Sequence, residues 1–372
     1  MSTTPSTAEE KDTNGLPLAS SPLEGQGCRS QRWVLLCFNC TLVLLGGAGP
    51  LLLRVYFLHG GKRMWLSSLV QVGGWPLAII PLTFCYMRSW LTRRARSGQG
   101  DGWFPIAMTF PLAAACAGIG VFTGLDCYMF AFSASYLPVS TAAILSSTQM
   151  AFVALFALLI VRQRFTPYSV NAVVLLSLGT VALGSQPGGD RAAGDSKSQY
   201  VLGFVMTLAA AALYGFTLPL TELMYIKTRQ KISYCLVMEV QVMISLSACA
   251  FCIIGMLVNK DFGAIPIEAG EYDLGEAMYY LVLTTGAVSW QVFNLGLLGI
   301  ISCSSSLLAG IVVALLLPVT EVMAVLLFHE KFDGGKGIAL ALSLWGFISY
   351  WYGDLQHHNR KMQTCEVELP AP

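Results

Sequence analysis

The sequence predicts an all-α polytopic membrane protein of ten transmembrane helices, arranged as two inverted five-helix repeats. Three observations carry this expectation. First, 55% of the 372 residues are hydrophobic and only 12% are charged, with a mean hydropathy of +0.62, whereas a soluble chain carries about 25% charged residues. Second, residues 104–161 hold one charged side chain, Asp126, and residues 277–328 hold one, Glu321; each run accommodates two crossings at roughly 20 residues apiece. Third, the chain is similar to itself at an ungapped shift of 167 residues.

Windows of about 19 residues give the ten helices in order. They are 33–56, 65–86, 105–136, 139–161, 168–183, 201–225, 233–258, 275–298, 303–328 and 335–352. None alternates at period two, which argues for helices over barrel strands. Residues 1–32 are polar, rich in Ser, Thr, Pro and Gly, and lack the apolar core of a signal peptide, so they read as a disordered cytosolic tail. The first five-helix repeat is 33–183, the linker 184–199, the second repeat 200–352, and a cytosolic C-terminal tail 353–372. With cytosolic termini, fourteen of the 22 Lys and Arg fall inside and eight outside, as the positive-inside rule requires. A net charge of +1 leaves no basic field for nucleic acid.

The self-similarity pairs Ala157 with Ala324, Phe165 with Phe332, Ala172 with Ala339 and Gly179 with Gly346, and Arg164 meets Lys331 just before the shared Phe. An odd number of helices per half turns the copies over, a frequent plan for secondary transporters. Nine of the 11 cysteines lie in or beside apolar segments and read as small packing residues. Cys37/Cys40 and Cys249/Cys252 have zinc-like spacing but no His or acidic partner, so no metal and no cofactor are expected.

Ionisable side chains inside a bilayer are costly and need a reason. Asp126 is the deepest, a carboxylate suited to collecting a proton outside and releasing it inside; hydrogen bonding to a neighbouring helix is the structural alternative. Glu321, just after Pro318, and Glu239, about two turns into its helix, are further proton-coupling candidates, whereas Glu222 is expected to snorkel to the interface. The repeat shift sets Asp126 against Phe293, inside the cluster Trp290, Gln291, Phe293 and Asn294. Spacings of three and four bring both amides and the indole toward one helix face. A flat heteroaromatic ligand needs a face to stack on and an amide or carboxylate to read its edge. Gln149 and Tyr214 complete the substrate-binding candidates. No Lys or Arg lies mid-membrane to meet a phosphate, so the cargo is expected to be neutral or weakly cationic.

The run Gly49-Pro-Leu-Leu-Leu-Arg-Val-Tyr-Phe-Leu-His-Gly-Gly-Lys-Arg63, followed by Gly74-Trp-Pro76, resembles the plant purine permeases of the drug/metabolite transporter superfamily. Tyr136-Leu-Pro-Val-Ser-Thr141, Gln149-Met-Ala-Phe152, Trp290-Gln-Val-Phe293, Leu317-Pro-Val-Thr-Glu-Val322, Phe328-His-Glu-Lys-Phe332 and Leu344-Trp-Gly-Phe-Ile-Ser-Tyr350 extend the similarity across the membrane region. Two departures fall near the expected site: Cys127 stands where the family pattern has Asn, and Glu321 looks like a subgroup feature. The resemblance implies proton-coupled import of purine nucleobases, cytokinins and related heterocycles across the plasma membrane, with the vacuolar or endoplasmic reticulum membrane as alternatives. Its implied partners are a small heterocyclic substrate, protons and the lipid bilayer. Import of another neutral heterocycle, such as an alkaloid or a vitamin B6 form, and a non-transporting receptor are the competing readings. An enzyme is not expected, since only four His occur and none is mid-membrane.

Overall fold

The computed structural model describes residues 22–97, 108–136, 139–162, 166–184, 197–228 and 233–328, with residues 334, 337–338, 341–350, 352–353 and 356 near the C-terminus. Among the described residues the backbone is almost entirely helical, without a strand. The elements are α1 (Pro22–Gly46), α2 (Ala48–Leu58), α3 (Met64–Val72), α4 (Pro76–Ser97), α5 (Phe110–Tyr136), α6 (Val139–Phe156), α7 (Pro167–Gly184), α8 (Lys197–Lys227), α9 (Tyr234–Val258), α10 (Asp261–Glu271), α11 (Glu276–Cys303) and α12 (Ser306–Phe328). A π-turn at Ala157–Val161 ends α6 and stops at left-handed Arg162, φ 55°. Among the described residues, six helical stretches are long and apolar enough to cross a membrane: Trp33–Leu58, Met64–Arg88, Phe110–Ser133, Leu202–Lys227, Tyr234–Val258 and Glu276–Cys303. Shorter apolar helices cover Thr148–Val161, Pro167–Gly179, Ser306–Leu316 and Ala341–Tyr350. Helix α1 already covers residues 22–32, upstream of the boundary at 33 read from polarity alone.

The first two membrane segments are each interrupted, and two prolines explain where. Pro50 and Pro76 have no N–H to give the carbonyl four residues back, and their rings crowd it. Those carbonyls belong to Gly46 and Val72, and hydrocarbon supplies no water to satisfy them. Other helices do so instead. Ser289 Oγ of α11 donates to the Gly46 carbonyl at 3.2 Å, and Cys249 Sγ of α9 to that of Val72 at 3.4 Å. Asn294 Nδ2 of α11 donates to the Gln71 carbonyl at 3.3 Å. Cys249 is therefore more than the packing residue expected of it. At the second break Gly74 sits against the Ala287 carbonyl and the Gln291 Cβ of α11, a space that a side chain on residue 74 would occupy.

Helix α11 is the axis of the bundle. It lies along α1, α2 and α3, while α5 is wedged between α8 and α9, and α6 between α7 and α8. A continuous apolar core runs through these contacts, with Val43, Val240, Ile300 and Ile311 fully or almost fully buried. Near the α11–α12 junction, buried Glu222 of α8 accepts a hydrogen bond from the backbone N–H of Ser306 at 2.7 Å, in the first turn of α12. The expected snorkelling does not occur, because the buried N-terminus of α12 offers the carboxylate an otherwise unpaired backbone donor and a favourable dipole.

At the other end, residues 259–274, which fall between the helices expected at 233–258 and 275–298, build a second tight cluster. Helix α10 fits there between two sharp turns, left-handed Lys260 and Gly275 at φ 87°. It buries Asp261 and Glu268 against the α2–α3 turn, which reverses through Gly60 at φ 104°. Arg63 pairs with both acids, Nη1 lying 3.2 Å from Asp261 Oδ1 and Nε 3.6 Å from Glu268 Oε2. The Tyr56 hydroxyl donates to Glu268 Oε1 at 2.5 Å, that of Tyr279 does so at 3.3 Å, and Asn259 Nδ2 donates to Asp261 at 2.9 Å. Removing one partner of a buried ion pair costs about 3–5 kcal/mol because it strands the other charge; Arg63 keeps 37% of its side chain exposed, which moves the expectation to the lower end of that range. Arg63→Met should lower the melting temperature of the detergent-solubilised protein. Combined with Asp261→Asn it should lose less than the two single substitutions together, and simple additivity would show that the pair contributes nothing.

Candidate functional site: a cavity between the two sets of helices

A cavity of about 180 Å³ lies among α2, α3, α5, α6, α8, α9, α11 and α12. Helical spacing determines which residues reach it. On α11 the lining positions Trp290, Phe293, Asn294, Leu297 and Ile301 fall on one stripe, and on α8 so do Thr207, Ala211, Tyr214, Thr217 and Thr221. On α5 the stripe carries Thr123, Asp126, Cys127, Phe130 and Ser133.

The cavity joins five of the residues singled out from sequence: Asp126, Gln149, Tyr214, Trp290 and Asn294 all line it. Gln291 does not. One residue on from Trp290, it is rotated about 100° around α11 and is 4% exposed, packed at the α3–α4 break with neither amide atom hydrogen-bonded. Glu239 is buried in the second turn of α9, away from the lining. Glu321 belongs to α12, and its side chain, like that of Pro318, lies outside the described residues.

Besides the Thr and Ser hydroxyls of α5 and α8, sequence reasoning missed Gln71, Gln241 and Ser245 in the wall. Gln71 on α3 donates from Nε2 to the carbonyls of Ser67 and Cys127, both at 3.4 Å. Gln241 and Ser245 on α9 are one turn apart and joined by a 3.0 Å hydrogen bond. The signal was present in the same four-residue spacing that linked Trp290 to Asn294, but α9 carries no aromatic residue beside the amide to draw attention to it.

The aromatic part of the wall is built at right angles. Trp290 meets Phe293 edge-on, with centroids 5.6 Å apart and planes at 80°, and Phe130 at 6.4 Å and 76°. Edge-on neighbours fix the orientation of the indole without covering both of its faces. Beside it, Gly49 packs on the indole edge where a Cβ would stand 2.9 Å from the ring. Farther toward the Arg63 end, Trp65 of α3 stacks on Tyr128 of α5 at 4.0 Å. Asn294 has one amide hydrogen committed to the Gln71 carbonyl of the broken helix, which leaves its Oδ1 for a ligand. Among the described lining residues there is no Lys or Arg, and Asp126 is the one carboxylate. The described wall thus offers an aromatic face, several neutral hydrogen-bonding groups and a carboxylate, a set that suits a small, flat, uncharged or weakly basic ring.

Comparison with known proteins gives the same direction. A family model described as purine nucleobase transmembrane transport matches residues 34–361. Purine permease 3 of Arabidopsis thaliana is 43% identical over 335 residues, covering 90% of this chain and 94% of its own length. Purine permease 2 of Arabidopsis thaliana is 43% identical over 352 residues, 91% of this chain and 97% of its own. The more distant purine permease 21 of Arabidopsis thaliana is 31% identical over 338 residues, 91% of this chain and 85% of its own. A solved crystal structure superposes with a TM-score of 0.54 at 17% identity over 85% of this chain and 98% of that one, a likeness of fold alone. From the family model and the full-length relatives, the chain belongs to the purine permease family of integral membrane transporters.

Proposed function

We propose that this protein is a proton-coupled secondary transporter that imports purine nucleobases and related heterocycles such as adenine and cytokinins. The observation that carries the reading is the cavity, in which the Trp290 face, the Asn294 and Gln149 amides and the lone carboxylate of Asp126 converge without a cation. A cavity of about 150 Å³ accommodates a benzene ring, so about 180 Å³ favours a one- or two-ring base over a nucleoside. The relatives named purine permeases support the same cargo class. Asp126 is the proposed proton carrier, and it also borders the ligand, so that protonation and occupancy are felt at one point. Glu321 and Glu239 remain secondary candidates for the proton path, and Gln291 for contact with the ligand once the α3–α4 break moves.

The proposed architecture is ten spanning helices in two inverted repeats, 33–183 and 200–352, joined by the linker 184–199, with the tails 1–32 and 353–372 in the cytosol of a plasma-membrane protein. Packing supports the two-fold relation. The first segment lies on the eighth, as α1 and α2 against α11, and the sixth lies on the third, as α8 against α5. The fifth and tenth pack on each other, with Gly346 against Ala172 and Leu175 and with Asn171 Nδ2 donating to Ser349 Oγ at 2.9 Å. Rocking of these halves around the cavity gives alternating access.

Expressed in yeast that lacks its own purine uptake, the protein should accumulate labelled adenine or trans-zeatin, and a protonophore should collapse that accumulation; uptake indifferent to the proton gradient would refute the coupling. Asp126→Asn should abolish concentrative uptake while preserving exchange of internal for external base. Base–aromatic stacking is worth about 1–3 kcal/mol, so Trp290→Ala should raise KM for adenine by roughly tenfold, and an unchanged KM would remove the indole from the binding site.

A further inference from the structure

Buried polar atoms without a hydrogen-bond partner occur at several places in the bundle, Gln291 and Tyr225 among them, and two belong to residues of the cavity wall. Gln241 is 1% exposed and Ser245 2% exposed. The amide Nε2 of Gln241 is used by its bond to Ser245 Oγ, while Oε1 has no partner. The hydroxyl of Tyr214, on the neighbouring α8, is likewise buried and unpartnered. All three residues line the same cavity. An unmet polar group in a water-poor interior costs about 1–3 kcal/mol, and two of them on residues that line one cavity are explained by a ligand that meets them.

We infer that Gln241 and Tyr214 are specificity-determining residues that read an N–H group on the edge of the bound ring, and that Ser245 is the positioning residue holding the Gln241 amide with its oxygen toward the ligand. The inference rests on the cavity being the transport site. The chemistry sets the preference. An amide whose donor is engaged presents an acceptor, and the acceptor calls for a donor on the ligand: a ring N–H or an exocyclic amine. The Tyr214 hydroxyl both donates and accepts, so it serves a ring N–H and an adjacent ring nitrogen alike. A site built to bond such a group rejects an analogue lacking it far more strongly than an apolar pocket rejects a changed methyl, because the protein groups are then left bare. Asp126 on α5 and Gln241 on α9 stand on adjacent, extensively packed helices, so the cavity offers acceptors from two sides.

The test uses the full-length protein in yeast, with surface expression measured beside uptake. Labelled adenine is competed with unlabelled adenine and with N6,N6-dimethyladenine, whose exocyclic nitrogen has lost its hydrogens. The wild type should prefer adenine. Gln241→Leu should raise KM about tenfold with Vmax within about twofold and should flatten the preference. Gln241→Glu, which keeps an oxygen acceptor, should retain the preference, and Ser245→Ala should raise KM by a few-fold. Tyr214→Phe deletes one oxygen at constant shape and guards against misfolding of the Gln241 variants; it should raise KM several-fold at normal surface level. Unchanged KM and preference in both Gln241→Leu and Tyr214→Phe would overturn the assignment. A wild type that takes up no heterocycle at all would instead overturn the transport reading on which it stands.

Discussion

Hydrocarbon contains no water to take up an unpaired N–H or C=O, and that single constraint organises this molecule. Wherever Pro50 or Pro76 releases a carbonyl, a side chain from another helix collects it, Ser289 in one case and Cys249 in the other. Asn294 does the same for Gln71 while also facing the cavity. The helix breaks, the packing of α11 and α9 against them and the composition of the wall are thus solutions to one bonding problem. Several buried polar groups are left over after this local matching, and two of them, on Gln241 and Tyr214, belong to residues of the cavity wall.

Charge follows the same logic at both ends of the bundle. Arg63 draws together Asp261 and Glu268 under two tyrosine hydroxyls. Glu222 sits on the N-terminus of α12. Neither acid group is among the described residues of the wall, so the described carboxylates divide into anchors near the helix ends and Asp126 beside the cavity.

Much of this was legible in the sequence. Long apolar runs separated by short polar punctuation locate helices reliably, and a carboxylate alone in 104–161 points to the site. Spacing along α11 put Trp290 and Asn294 on one face correctly, because a helix fixes the angular relation of residues four apart. It grouped Gln291 with them, but a residue adjacent to Trp290 is rotated away, and its surroundings depend on Gly74 from a distant helix. Partners remote in sequence are the common cause of what was missed. Glu222 looks like an interfacial acid until Ser306 is beside it, and the acidic stretch 261–271 looks like a loop until Arg63 neutralises it. Gln241 carries no chemical oddity in its own neighbourhood, and only the cavity distinguishes it from a structural amide.

The interleaving of the halves bears on how the chain is made. Arg63 waits for Asp261, 198 residues later, and α1 waits for α11. At roughly 5–20 residues per second, that delay is on the order of 10–40 s of synthesis. For nearly all of it, the two interrupted helices stand in the membrane with carbonyls that their own half cannot satisfy, since Cys249 emerges only near its end and Ser289 and Asn294 later still. Neither half is a finished object before the other arrives. The polar breaks near the cavity are therefore also the points at which the newborn protein has carbonyls still waiting for their partners.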